Sequence, residues 1–135
     1  MMRPWPRVII GIGSVNGLSA LGDAAYSAGK AAMISLTRSL AQEYGRHGIR
    51  CNIVLPGTVR TPLWARRAAK DSKVLETLRR WYPLGRIVES EDVANAVGFL
   101  ASDAASAITG VALPVDCGLT SGNLVMTREL TLEDY

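Results

Sequence analysis

A chain of 135 residues with 48% apolar and 20% charged side chains suits one domain with a real core and excludes global disorder. A net charge of +3 is too small to set a class, one histidine (His47) excludes a histidine-rich metal centre, and two cysteines exclude a disulfide framework. Cys51 and Cys117 instead read as small buried apolar residues. No apolar run approaches the roughly 20 residues that span a bilayer. Met1 to Pro6 lacks the apolar stretch of a signal peptide, so a cytoplasmic protein without a membrane or a metal is expected.

In chain order, Val8 to Ile12 is a short β-branched run that reads as a buried strand. A turn rich in Gly, Ser and Asn follows, from Gly13 to Gly22. Asp23 is placed to cap a helix over Ala24 to Tyr44, with Gly45 as its stop. Met33, Leu36 and Leu40 recur at helical spacing and are expected to face a core. The first half of that helix is crowded with small residues, Ala24, Ala25, Ala28, Gly29, Ala31 and Ala32, which admit close approach of another backbone or a ligand.

Ile49 to Leu55 reads as a second strand, halted at Pro56-Gly57. Strand, helix and strand in this order make the βαβ unit of a parallel sheet with a right-handed crossover. Thr61 to Trp81 is a charged, partly helical excursion. A further helix starts near Ser90, with Glu91 and Asp92 in its first turn and Val93, Val97 and Leu100 as its apolar stripe. A last strand covers about Val111 to Val115, and the tail from Gly118 to Tyr135 carries no clear pattern. The expected fold is one α/β domain over residues 1–135 with about three parallel strands, flanking helices and an open apolar edge at Val8-Ile9-Ile10.

Basic residues gather in the excursion as Arg66, Arg67, Lys70, Lys73, Arg79, Arg80 and, just beyond, Arg86. Asp71 and Glu76 interrupt them, and no nucleic-acid motif accompanies them. A solvated helical face is the reading, with no nucleic-acid partner expected.

Ser14, Tyr26 and Lys30 carry the chemistry. Tyr26 and Lys30 are one helical turn apart and project from one face. Ser14 sits just past the first strand, at the end of the sheet where ligands bind in open α/β folds. A free tyrosine is too weak an acid to serve as a base at neutral pH, and a lysine cation beside it favours the phenolate. Such a tyrosine can pass a proton as a carbonyl and an alcohol interconvert, while a serine hydroxyl binds the oxygen that gains charge. The hydride must come from a nicotinamide cofactor, because no side chain supplies one.

Several ordered runs add specificity. Ile12-Gly13-Ser14-Val15-Asn16-Gly17, Tyr26-Ser27-Ala28-Gly29-Lys30-Ala31-Ala32 and Ile49 to Thr61, with Glu91-Asp92-Val93-Ala94, Thr109-Gly110 and Val115-Asp116-Cys117-Gly118, together resemble the short-chain dehydrogenase/reductase family. The resemblance covers about Arg7 to Gly122 and implies a partial Rossmann-like sheet. It implies an NAD(P)-dependent oxidoreductase, with NAD or NADP as cofactor and a small carbonyl or alcohol as substrate. Tyr26 would be the acid/base, Lys30 would also hydrogen-bond the nicotinamide ribose, and Ser14 would orient the substrate carbonyl. Pro56, Gly57 and Thr58 would lie beside the nicotinamide, with the Val59 backbone and the Thr61 hydroxyl at its carboxamide. Residues 61–85 would form the substrate-covering loop, with Leu63, Trp64, Trp81 and Tyr82 as apolar contacts, and 118–135 the tail.

Departures from the family pattern bear on what this chain does by itself. The family's glycine-rich phosphate turn, its NAD/NADP-selecting residue and the asparagine of its catalytic tetrad have no counterpart before Val8, so the dinucleotide-binding half is expected to be lacking. Gly13 and Cys117 stand where a serine and a glycine are more usual. Gly11, Gly13 and Gly17 superficially echo a dinucleotide turn, but the spacing is one residue too long and the helix starts too late. The alternative reading is a truncated, non-catalytic remnant that self-associates or binds a partner through its bare strand edge, and a homo-oligomer is expected on either reading.

Overall fold

The computed structural model describes residues 7–134, so the reading of Met1 to Pro6 and the last residue of the tail lie outside the described residues. The chain runs β1 (Arg7–Ile12), α1 (Ala24–Tyr44), β2 (Ile49–Pro56), α2 (Pro62–Lys70), α3 (Val74–Arg79), α4 (Ser90–Ala101), β3 (Ala112–Val115) and α5 (Leu124–Thr131). The three strands form one parallel sheet in the order β1-β2-β3, in register from Arg7↔Ile49 to Ile12↔Val54 and from Ile53↔Ala112 to Pro56↔Val115.

β2 is the centre of the fold because its side chains are apolar on both faces, as a strand covered from both sides requires. Ile53 and Leu55 point to one face and pack with Val15 and Ile34 of the α1 side. Val54 points to the other, with Leu100 of α4 and Ala105. The expected α/β class, three parallel strands and helices on both faces are therefore present.

Two polar residues of β2 do structural work that apolar ones could not. Asn52 is buried, donates from Nδ2 to the Ile108 carbonyl at 2.9 Å and accepts the Val111 N–H at 3.0 Å. Arg50 donates to the carbonyls of Leu100 (2.8 Å), Ser102 (3.2 Å) and Ile108 (3.3 Å), closing the C-terminal end of α4. These bonds satisfy carbonyls that a helix end leaves open and hold the loop leading into β3.

Several local expectations change. α1 ends at Tyr44 with Gly45 as its C-cap, as expected, but Gly45 keeps a helical backbone; the chain passes through a 3₁₀ turn (Gly45–His47), and Gly48, at φ +70°, makes the left-handed reversal that glycine favours. Leu36 is exposed, and the inward stripe is Ile34, Thr37 and Ala41, with Met33 packed against it. Thr37 can face inward because its hydroxyl donates to the Met33 carbonyl at 2.9 Å. Cys51 is buried, and burial pushes its thiol pKa up. Cys117 is only half-buried and adopts φ +51°, the left-handed backbone that suits the glycine usual there. The excursion holds α2 and α3, and the tail, unreadable beforehand, forms α5.

At the start of α4, Asp92 accepts the Glu89 N–H at 2.9 Å and pairs with both terminal nitrogens of Arg86, at 2.6 and 3.1 Å. The Arg86 hydrogen bond first, then the Glu89 N–H, holds the Asp92 carboxyl below the usual carboxylate range. A depressed folded value contributes stability above the ordinary Asp pKa of about 3.9, and that stability is lost as pH falls through the folded value. Asp92→Asn should lower the melting temperature by a few degrees at pH 7. The gap to the parent should close at pH values below the carboxylate range, as followed by circular dichroism.

Candidate active site

The carboxyl ends of β1 and β2 open into a cleft of about 810 Å³. Its walls come from the turn after β1 (Ser14, Val15, Asn16), the first turn of α1 (Asp23, Tyr26), the turn after β2 (Gly57, Thr58, Val59, Thr61) and the 61–85 excursion. This volume is in the range of small-molecule sites.

The α1 side is positioned by its cap. Asp23 accepts the Tyr26 N–H at 2.7 Å, which fixes where the helix starts and therefore where Tyr26 leaves it. Tyr26 is 50% exposed in the cleft. One turn on, the Lys30 ammonium lies 5.5 Å from the Tyr26 ring centroid and donates to the Ile12 carbonyl at the end of β1, at 3.4 Å. Lys30 is not itself among the residues that line the cleft.

Ser14 reaches the same space from the sheet. It is 7% exposed and caps the 3₁₀ turn Val15–Gly17, its oxygen accepting the Asn16 N–H at 3.2 Å. Its hydroxyl is also within 3.1 Å of Asn16 Oδ1, so the proton it would offer a substrate is shared with Asn16. Asn16 has no signal of its own in the sequence; an amide two residues after a serine at a turn is the only hint.

Glycines bring the two sides together. A Cβ on Gly17 would stand 2.8 Å from the backbone carbon and oxygen of Lys30, so the turn bearing Ser14 rests directly on α1. A Cβ on Gly13 would meet Leu55 at 2.7 Å and Ile53 at 2.9 Å, which accounts for glycine where serine is more usual. These contacts are with α1 and β2. Gly13 and Gly17 thus have a packing role in place of a phosphate cradle.

The turn after β2 is held from three directions. The Gly57 N–H donates to Val115 (3.0 Å), the Thr58 N–H donates to the buried Tyr82 phenol oxygen (2.9 Å), and Val88 bridges Thr58 and Arg60 through backbone bonds of 3.0 and 2.8 Å. The Arg60–Glu89 ion pair at 2.8 Å closes the same edge. Tyr82, expected as an apolar contact of the covering loop, lines the cleft and, 2% exposed, also acts as an anchor through its phenol oxygen. The Val59 N–H donates to no described residue. Pro56, expected beside the cofactor, is buried at the end of β2, in register with Val115, and does not line the cleft. Ser14, Tyr26, Gly57, Thr58, Val59 and Thr61 are thus brought to one cavity, with Lys30 behind Tyr26.

Helices on both faces of a parallel sheet, with polar groups gathered at its strand ends, define a doubly wound α/β protein. The family model described as enoyl-(acyl carrier protein) reductase matches residues 1–120, and the chain belongs to the short-chain dehydrogenase/reductase family. It is 48% identical over 126 residues to an uncharacterized oxidoreductase of Schizosaccharomyces pombe, covering 93% of this chain and 49% of that one. It is 43% identical over 112 residues to the (3R)-3-hydroxyacyl-CoA dehydrogenase of Homo sapiens, covering 82% and 42%. A crystal structure of a short-chain dehydrogenase/reductase family oxidoreductase from Burkholderia thailandensis superposes with TM-score 0.90 at 57% identity, covering 95% of this chain and 50% of that one. A 4-hydroxyisoleucine dehydrogenase complexed with NADH (34% identity, TM-score 0.80, covering 86% and 48%) and ElxO with NADP bound (30%, 0.79, covering 85% and 47%) share the fold. The chain spans about half the length of the curated relatives it matches.

The packing argument separates two glycines of this region. Gly17→Ala should destabilise by about 1–3 kcal/mol, because backbone must move to make room. Gly29→Ala, in α1 with nothing within 4 Å of its added Cβ, should stabilise by roughly 0.5–1 kcal/mol. Urea denaturation of the two variants checks both signs.

Proposed function

We propose that this chain carries the proton-transfer site of an NAD(P)-dependent oxidoreductase that interconverts an alcohol and a ketone or aldehyde. The observation that carries this reading is the meeting of Ser14, Tyr26 and the Gly57–Thr61 turn in one cleft, with the Lys30 ammonium against Tyr26. The names of related proteins support it: a (3R)-3-hydroxyacyl-CoA dehydrogenase, a 4-hydroxyisoleucine dehydrogenase complexed with NADH, and ElxO with NADP bound.

The cleft fits a nicotinamide on the chain's own terms. A Cβ on Gly57 would come within 3.2 Å of Asp116 and 3.3 Å of Tyr82, so glycine lets this turn pack closely on its support. The unused Val59 N–H and the Thr61 hydroxyl are donors of the kind a carboxamide accepts. Gly57, Thr58, Val59 and Thr61 would hold the nicotinamide, with Tyr26 and Lys30 toward its ribose. When bound, it supplies or accepts the hydride that no side chain can.

Tyr26 moves the proton. As a carbonyl carbon is reduced, its oxygen gains negative charge and takes the phenolic hydrogen; in the reverse direction the phenolate takes the alcohol's proton. Lys30 holds positive charge one turn away, its ammonium 5.5 Å from the Tyr26 ring centroid and donating to the Ile12 carbonyl. Ser14 donates to the same substrate oxygen after its hydroxyl turns away from Asn16. The buried Tyr82 and Val15 form part of the cleft lining beneath these groups. A cytoplasmic location goes with this reading.

The test uses the purified chain. NADH or NADPH fluorescence should rise on titration, and turnover with a panel of aliphatic ketones should fall by about 10²–10⁴-fold in Tyr26→Phe, the usual scale of acid–base catalysis. An unchanged rate in that variant, or no binding of either cofactor at millimolar concentration, overturns the reading for this chain.

A second reading, self-association, is favoured by β1. Among the described residues it pairs only with β2, and Ile9 and Ile12 are about half exposed. A second copy paired along this edge would cover them. Sedimentation velocity should then show a species larger than a monomer that Ile9→Lys dissociates, and a parent chain that is monomeric at micromolar concentration removes this reading.

A further inference from the structure

The wall of the cleft opposite the sheet is largely apolar, with Leu21, Leu63, Trp64, Leu78 and Trp81, and it contains one cation, Arg67. The guanidinium carbon of Arg67 stands 4.5 Å from the Trp64 ring centroid, so the side chain is stacked against the wall. Among the described residues the ion pairs are Arg60–Glu89 and Arg86–Asp92, and Arg67 makes no ion pair and no side-chain hydrogen bond. The one acidic residue of the lining, Asp23, uses a carboxylate oxygen on the Tyr26 N–H. Arg67 is exposed at the opening of the cleft, and a guanidinium stacked on Trp64 with its donors turned to water can receive a planar or tetrahedral oxyanion.

A second observation points the same way. Residues 61–85, which build this wall, contain six of the chain's fifteen basic residues and two of its twelve acidic ones. None of the six is in an ion pair among the described residues. The segment that supplies Arg67 to the cleft is thus richer in positive charge than the rest of the chain, which favours approach of anions to this side.

We infer that the substrate is anionic: an alcohol or ketone on an apolar body with a carboxylate or phosphate that Arg67 binds. This deepens the oxidoreductase reading and rests on it for the cleft being a substrate site. Leu63, Leu78 and Trp81 would cover the body, while the reacting oxygen faces Ser14 and Tyr26. Arg67 is then the residue that sets specificity, because only an anionic substrate gains a charge-assisted pair with it.

The test needs no cofactor. Trp64 and Trp81 line the cleft, so intrinsic tryptophan fluorescence reports on its occupancy. Octanoate, octyl phosphate and the neutral octanamide are titrated into the parent, Arg67→Gln and Arg67→Lys. An anion should bind the parent about tenfold or more tightly than the amide, the scale of a charge-assisted hydrogen-bond pair. That preference should weaken with salt, vanish in Arg67→Gln and be partly kept in Arg67→Lys. The tighter of the two anions assigns the headgroup. Equal binding of acids and amide, a preference that survives Arg67→Gln, or no response to any probe overturns the inference. Anion selectivity without NADH or NADPH binding would sink the oxidoreductase reading alone; cofactor binding and turnover without anion selectivity would sink this one alone.

Discussion

The direct contact of the Gly17 turn with the α1 backbone at Lys30 is the constraint on which the site depends. It sets how far the end of β1 stands from the first turns of α1, and hence whether a serine on the sheet and a tyrosine on the helix share a cleft. The Lys30 ammonium crosses the same gap in the other direction, to the Ile12 carbonyl. Backbone contact and polar contact together make one clamp. Because glycine leaves no side chain between turn and helix, the clamp has little slack, and packed interiors transmit rather than absorb a displacement.

The opposite wall is held by a different device. Gly57 to Thr61 contains no helix or long strand that would be rigid by its own hydrogen bonds. It borrows order from Tyr82, Val88, Val115 and the Arg60–Glu89 pair. Asp116 steadies the segment behind it: the carboxylate is 7% exposed and accepts the Gly118 N–H at 3.0 Å, the Thr120 N–H at 2.9 Å and the Thr120 hydroxyl at 2.6 Å. A buried carboxylate is tolerable because three donors replace its water. Both walls of the cleft are therefore tied to the strand ends.

How much of this was legible in the sequence follows from what each feature depends on. α1 was readable to its ends at Ala24 and Tyr44 because a capping aspartate and a long helical run are local signals. β2 was readable because Ile53, Val54 and Leu55 are apolar on both faces. Leu36 misled because its spacing fits a core stripe; the stripe that points inward includes Thr37, whose hydroxyl is satisfied within its own helix and so tolerates burial. Gly45 marked the end of α1 correctly, while the left-handed reversal falls three residues later, at Gly48. Tyr26, Lys30 and Ser14 stood out through their ordered context. Asn16 and Arg67 did not, although Ser14 and Trp64 lie close to them in sequence, because such short spacings are common; the anchoring role of Tyr82 did not, because Thr58 is brought to it only by folding. A lone tyrosine in a charged excursion carries no sign that its hydroxyl accepts the Thr58 N–H.

Sheet, clamp and anchored turn together support the proposal that the end of the sheet would face a nicotinamide in a cleft where Ser14 and Tyr26 would act on one oxygen. Backbone amide mapping by ¹⁵N–¹H NMR during titration with millimolar NADH tests it most directly. The account predicts shifts concentrated at Ser14 to Gly17, Tyr26 to Lys30 and Gly57 to Thr61, with the α4 face unmoved. Shifts scattered over the molecule, or confined to residues away from those three segments, would contradict it.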